Sequence, residues 1–197
     1  MQTDILIIGG GLAGICAADR ITQDSSLQVD LLQDGSGASP FIHGFCLPLG
    51  PTDSPELFEQ DTLAAGYGVA DPQLVHTLCT GYPSLLAFFE GLDLSLDGGP
   101  DEIRMLQPLG ASAPRVVTLN NDSGVVLLSR LRRRLSDTGR YREHRHLRAL
   151  SLCKTGEQVT GARCFDVQQR QWVNIQAKIV ILACGGFCGL FPFSTNS

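Results

Sequence analysis

Residues 4 to 14 read Asp-Ile-Leu-Ile-Ile-Gly-Gly-Gly-Leu-Ala-Gly, an apolar run, a glycine turn and the start of an alanine-rich segment. Ile5 to Ile8 has the composition of a parallel strand buried on both faces. Leu12 to Thr22 is predicted to be a helix, with Ala13, Ala17 and Ala18 small enough to pack closely on a sheet. Leu27 to Leu32 supplies a second strand. Gly9-x-Gly11-x-x-Gly14 therefore falls at the strand–helix junction of a β-α-β unit of about 30 residues. The first glycine permits the tight turn. The second lets a pyrophosphate approach the backbone, and the third lets the helix sit close on the strand. The helix N-terminus offers free N–H groups and a positive dipole end to phosphates. The unit reads as a dinucleotide-binding fingerprint, with a purely structural turn as the alternative.

The rest of the chain narrows the class. At 197 residues it suits one sizeable domain. Its net charge of -5 argues against non-specific nucleic-acid binding, which needs a basic footprint. No uncharged apolar stretch approaches the ~20 residues of a membrane span. Ile5 to Ile8 is too short for a signal-peptide core and lacks a basic flank, so the expected location is cytoplasmic. Seven cysteines at irregular spacing (Cys16, Cys46, Cys79, Cys153, Cys164, Cys184, Cys188) read as small buried apolar residues in a reducing compartment.

Gly35 to Gly50 is a Gly/Ser/Pro-rich loop. Asp53-Ser54-Pro55-Glu56 starts a helix that runs to about Ala65, and Asp71-Pro72 starts another carrying Leu74, Val75, Leu78, Leu85, Leu86, Phe88 and Phe89. A short apolar stretch spans Arg115 to Leu119, and a helix follows from Ser123 to Ser136. Leu147 to Cys153, Val159 to Val167 and Trp172 to Leu182 form an antiparallel meander. Its last member is long enough to rejoin the parallel sheet over Lys178 to Ala183. The fold expected is α/β, Rossmann-like, with a parallel sheet, flanking helices and an inserted β-meander.

At the end of the second strand the usual ribose-binding acid aligns with Gln33, and Asp34, one residue on, is a substitute. Arg130, Arg132, Arg133 and Arg134 read as a solvated helix face, with an anion or partner contact as the alternative. His144 and His146 flank Arg145, a poor metal site for want of a third ligand, so no metal is expected.

These motifs, in order, resemble the N-terminal part of the flavoprotein family that contains fumarate reductase, succinate dehydrogenase flavoprotein and L-aspartate oxidase. Asp53-Ser54-Pro55-Glu56, Asp61 to Gly66 and Asp71 resemble its helix pair. Pro114-Arg115 and Ser123-Gly124 match its Pro-Arg-Thr and Thr-Gly. Ile181-Leu182-Ala183-Cys184-Gly185-Gly186 resembles its Leu-Ala-Thr-Gly-Gly, and Ser194-Thr195-Asn196 its Thr-Thr-Asn. The resemblance implies an FAD-binding domain over residues 1–197. Its flavin contacts would be Gly9, Gly11, Leu12, Ala13, Gly14, Gln33, Asp34, Ser39, His43, Gly44, Ala183, Cys184 and Gly185.

The family's Ser-x-x-Ala-Gln-Gly-Gly flavin loop is here Ser39-Pro40-Phe41-Ile42-His43-Gly44-Phe45. His43 replaces the glutamine, either packed in the loop or placed beside the flavin, and Phe45 replaces a glycine and would crowd the ring. Ala38 stands where succinate dehydrogenases carry the flavin-tethering histidine, which implies a non-covalent flavin. The capping domain and the family's catalytic residues follow the Thr-Thr-Asn region. The resemblance therefore implies hydride transfer between flavin and a small dicarboxylate or amino acid, with no turnover by these residues alone. A second subunit or a C-terminal region would supply the substrate site. The alternatives are an accessory flavin-binding subunit, resembling the one in anaerobic glycerol-3-phosphate dehydrogenase, and a degenerate interaction domain. A plain NAD-binding domain fits less well, because it lacks the meander.

Overall fold

The computed structural model describes residues 1–35, 37–99, 102–187 and 190–193. Cys188 and the Ser194-Thr195-Asn196 segment lie outside them. Two compact units are present, Met1–Pro40 with Leu128–Ser197, and Phe41–Leu127.

The first unit is built on a six-stranded sheet. Strand β1 (Gln2–Ile8) lies between β2 (Val29–Leu32) and β8 (Gln171–Leu182), parallel to both. Ile5, Leu6 and Ile7 are buried, as a central parallel strand covered on both faces requires. Helix α1 (Leu12–Asp24) buries Gly14, Ile15, Ala18, Asp19 and Thr22, while Ala13 stays exposed at its start. The meander consists of β6 (Leu147–Thr155), β7 (Gln158–Asp166) and the first half of β8. At Gln176 strand β8 changes partner, pairing with Gly161 of β7 on one side and Gln2 of β1 on the other. One 12-residue strand thus belongs to both the meander and the parallel sheet, as its length predicts. Leu6, Leu32, Leu147, Cys164 and Ile175 share the core that joins them.

An unpredicted strand, β5 (Tyr141–His144), extends the sheet beyond β2, giving the order β5-β2-β1-β8-β7-β6. Arg142 and His144, two apart and so on one face, both reach Asp30. Arg142 Nη2 lies 2.8 Å from one carboxylate oxygen and His144 Nε2 2.5 Å from the other. Burial pushes the Asp30 carboxyl up, but the bonds to His144, Arg142 and Thr3 outweigh it and hold its pKa down to about 2.

The second unit carries α2 (Pro55–Ala65), α3 (Pro72–Thr80) and α4 (Tyr82–Glu90), with a short ribbon of β3 (Phe45–Cys46) and β4 (Val116–Val117). Ser54 caps α2 by accepting from the Leu57 N–H at 3.1 Å, and Asp71 caps α3 by accepting from the Gln73 N–H at 2.9 Å. The expected single helix after Asp71 is two. Gly81 ends α3, and Pro83 in the first turn of α4 has no N–H with which to continue it. Arg115 is 1% exposed. It donates two hydrogen bonds to Asp53, at 2.9 and 2.8 Å, pairs with Asp61 at 2.8 Å, and lies 4.8 Å over the Phe58 ring.

Helix α5 (Ser123–Asp137) buries Leu127, Leu128, Leu131 and Leu135, the spacing of one helical face. Among the described residues no helix is long and apolar enough to cross a membrane, and no three His, Cys, Asp or Glu side chains cluster to hold a metal. Cys79 and Cys164 are buried, in line with the expectation for this residue type, but Cys46 and Cys184 are exposed.

Candidate functional site

The fingerprint turn between β1 and α1 is held by backbone contacts that exclude side chains. Gly9 N–H donates to the Leu32 carbonyl at 2.9 Å, and Ala183 N–H donates to the Ile8 carbonyl at 2.8 Å. Gly9 adopts φ 119, and a Cβ there would lie 2.1 Å from the Ala183 oxygen. A Cβ at Gly14 would lie 2.0 Å from the Gly9 oxygen. Both clashes are with backbone, so both glycines are needed for the chain's own packing. Gly11 is less confined, with a Cβ 3.1 Å from the Ser39 hydroxyl.

Helix α1 begins at Gly11 without a capping side chain or an acid in its first turn. The Leu12 N–H donates to Ser39 Oγ at 2.8 Å. Among the described residues none accepts from the N–H of Ala13 or Gly14. Two donors at the positive end of a 13-residue helix are thus free for an anion. Alongside lies a cleft of about 190 Å³ lined by Ile8, Gly9, Leu32, Asp34, Leu147, Arg148, Ala149 and Cys184. The Cys184 thiol donates to the Ile8 carbonyl at 3.4 Å, and Gly185 follows at φ 75. A glycine-lined turn, free amides and an adjoining cleft fit a dinucleotide.

The end of β2 is more elaborate than its sequence. Gln33 is held at both ends of its carboxamide, with Oε1 accepting from Arg132 Nη2 at 2.9 Å and Nε2 donating to the Gly35 carbonyl at 2.9 Å. Asp34 pairs with Arg148 at 2.6 Å, both side chains more than half exposed. The arginines of α5 are not all on a solvated face, contrary to expectation. Arg132 also reaches Gly10 and Glu143, and Arg134 grips the buried Asp19 carboxylate. Nothing in the sequence separates these two from Arg130 and Arg133, because the partners come from other elements.

The predicted contacts fall in both units. Gly9, Gly11, Leu12, Ala13, Gly14, Gln33, Asp34, Ser39, Ala183, Cys184 and Gly185 belong to the first, where Ser39 joins a 3-10 turn (Ser39–Phe41). His43 and Gly44 belong to the second. His43 is exposed, not packed in its loop, and its carbonyl accepts from Ser123 Oγ at 2.6 Å. A Cβ at Gly44 would lie 2.5 Å from the Val117 oxygen. Phe45 packs against Phe89 with its ring tilted by 55° and the centroids 5.1 Å apart. His144 and His146 each face a separate carboxylate, Asp30 at 2.5 Å and Asp166 at 3.7 Å.

Known proteins share this fold. Residues 4–196 match the family described as the FAD binding domain. An L-aspartate oxidase of Synechocystis sp. is 28% identical over 201 residues, covering 99% of this chain and 36% of that protein. An uncharacterized FAD-dependent oxidoreductase of Methanocaldococcus jannaschii is 29% identical over 199 residues, covering 100% of this chain and 37% of that protein. Among solved structures, a variant FrdA of E. coli quinol fumarate reductase superposes with a TM-score of 0.87 at 21% identity, over 100% of this chain and 35% of that one. The chain thus spans about a third of the length of these relatives. Matched by this family over residues 4–196, the chain belongs to the FAD binding domain family, with FAD as its cofactor.

Proposed function

We propose that the chain is the flavin-holding portion of an oxidoreductase whose parent reaction is hydride transfer between FAD and a small dicarboxylate or amino acid. Its own residues bind and orient. Ala13 and Gly14 donate their free N–H groups to the pyrophosphate, and Gly11 keeps that face open. Gln33, with Asp34 beside it, takes the adenosine ribose, and the cleft bounded by Asp34, Arg148 and Cys184 takes the adenosine end. Ser39 accepts from the Leu12 N–H at the helix start, and Ala183 to Gly185 contribute contacts. When bound, the flavin supplies the hydride-accepting chemistry. Residues that select and activate substrate belong to a C-terminal region or second subunit, so this chain alone is expected to turn over no dicarboxylate. Sequence similarity to an L-aspartate oxidase supports this substrate class.

The observation that carries the placement is the pair of free amides at the start of α1, next to a cleft that Cys184 lines. Alkylation of the intact chain, read cysteine by cysteine by peptide mass spectrometry, tests it. At FAD ten times its Kd, Cys184 is expected to react about tenfold more slowly, and Cys153 of the meander at an unchanged rate. Bound FAD with no protection of Cys184 would put the nucleotide elsewhere.

A further inference from the structure

Gln33 occupies the position where an acid commonly takes the ribose hydroxyls of a dinucleotide. A neutral amide there has two faces, and which one meets the ligand depends on what fixes it. The partners settle this by their chemistry. Arginine only donates, so the group 2.9 Å from Arg132 Nη2 is the oxygen. A backbone carbonyl only accepts, so the group 2.9 Å from the Gly35 oxygen is the NH₂. The same Nη2 donates to the Gly10 carbonyl at 3.1 Å, tying the carboxamide to the fingerprint turn. Gly10 makes this possible, since a Cβ there would lie 2.8 Å from Gln33 Cβ and Oε1.

Arg132 is itself anchored. Its Nε donates to Glu143 at 3.2 Å, and Glu143 also accepts from Tyr141 at 3.1 Å and Arg145 at 3.0 Å. Burial and the nearby Glu143 charge push the Tyr141 phenol up, so it remains a donor at neutral pH. Among the described residues Gln33 then retains one lone pair and one N–H. A vicinal diol, whose hydroxyls each donate and accept, matches that pair.

Resting on the FAD-site reading above, we propose that Arg132 is a positioning residue that acts through Gln33, holding its carboxamide as a donor–acceptor pair for the adenosine ribose diol. Arg132 touches the protein, not the nucleotide. Its loss leaves the amide held at its nitrogen alone, by the Gly35 carbonyl, and discrimination for the diol weakens while phosphate binding stays.

The experiment compares ADP with 2′,3′-dideoxy-ADP by calorimetry on the full chain. Wild type is expected to prefer ADP by about 10-fold or more, the worth of two hydrogen bonds. In Arg132→Met the preference falls to about 2-fold, whereas Arg132→Lys, which still donates, keeps most of it. In a Gln33→Met background, adding Arg132→Met changes the ratio no further, because the two act as one unit. If Arg132→Met does not fold by circular dichroism, Arg132→Gln and the lysine variant carry the comparison. A preference that survives loss of Arg132 in a folded variant overturns the proposal and leaves the FAD site standing. Failure of wild type to bind either ADP or FAD overturns the site reading itself.

Discussion

In the first unit the fingerprint turn is lined by glycines, and the nearby Asp34–Arg148 pair leaves both side chains more than half exposed. In the second, the Arg115 and Asp53 side chains are 1% and 0% exposed, and Asp61 and Phe58 complete the shell. An exposed pair such as Asp34–Arg148 contributes about 0–1 kcal/mol, so it can be rearranged for a ligand at little cost. A sealed pair cannot, because removing one partner leaves an uncompensated buried charge. The lesson is that the Asp34–Arg148 charge beside the glycine turn remains available for recognition, whereas charge around Arg115 is consumed by structure.

Breaking the sealed cluster is the harshest challenge to that contrast. Arg115→Met is expected to destabilise the chain by about 3–5 kcal/mol, read as a lower urea midpoint. A loss under 1 kcal/mol would make the cluster no different from a surface pair. Next comes Gly9→Ala, whose methyl would meet the Ala183 oxygen at 2.1 Å in a backbone of φ 119. It should weaken FAD binding by about 100-fold or more. Unchanged affinity by flavin fluorescence titration would mean the turn yields and does not frame the nucleotide.

Asp30 is a sealed carboxylate in the first unit. Its pKa is held down to about 2, so its stabilisation is complete above the unfolded value near 4 and lost as pH falls through about 2. That is worth about 2 kcal/mol at neutral pH. Asp30→Asn should flatten the pH dependence of stability between those values. Equal slopes in the variant and wild type, measured by urea unfolding at stepped pH, would show that Arg142 and His144 do not act on this carboxyl.

How legible each part was depends on where its partners lie. The β-α-β unit, the meander and the return strand could be read because apolar runs and glycines sit together in sequence. Strand β5 could not, since Tyr-Arg-Glu-His is short, polar and at a sheet edge, and its charges make sense only beside Asp30. The break between α3 and α4 was masked by apolar periodicity that runs across Gly81. At the site, Gly9 and Gly14 were legible from spacing. Arg132 was not, because its acceptors, Gly10, Gln33 and Glu143, come from three other segments.

FAD binding by this chain is tested most simply by the visible absorption spectrum of the purified protein, with the released chromophore identified by chromatography. A flavin spectrum is expected, with FAD as the chromophore, either retained through purification or taken up when added. A colourless chain that also fails to take up FAD would contradict it.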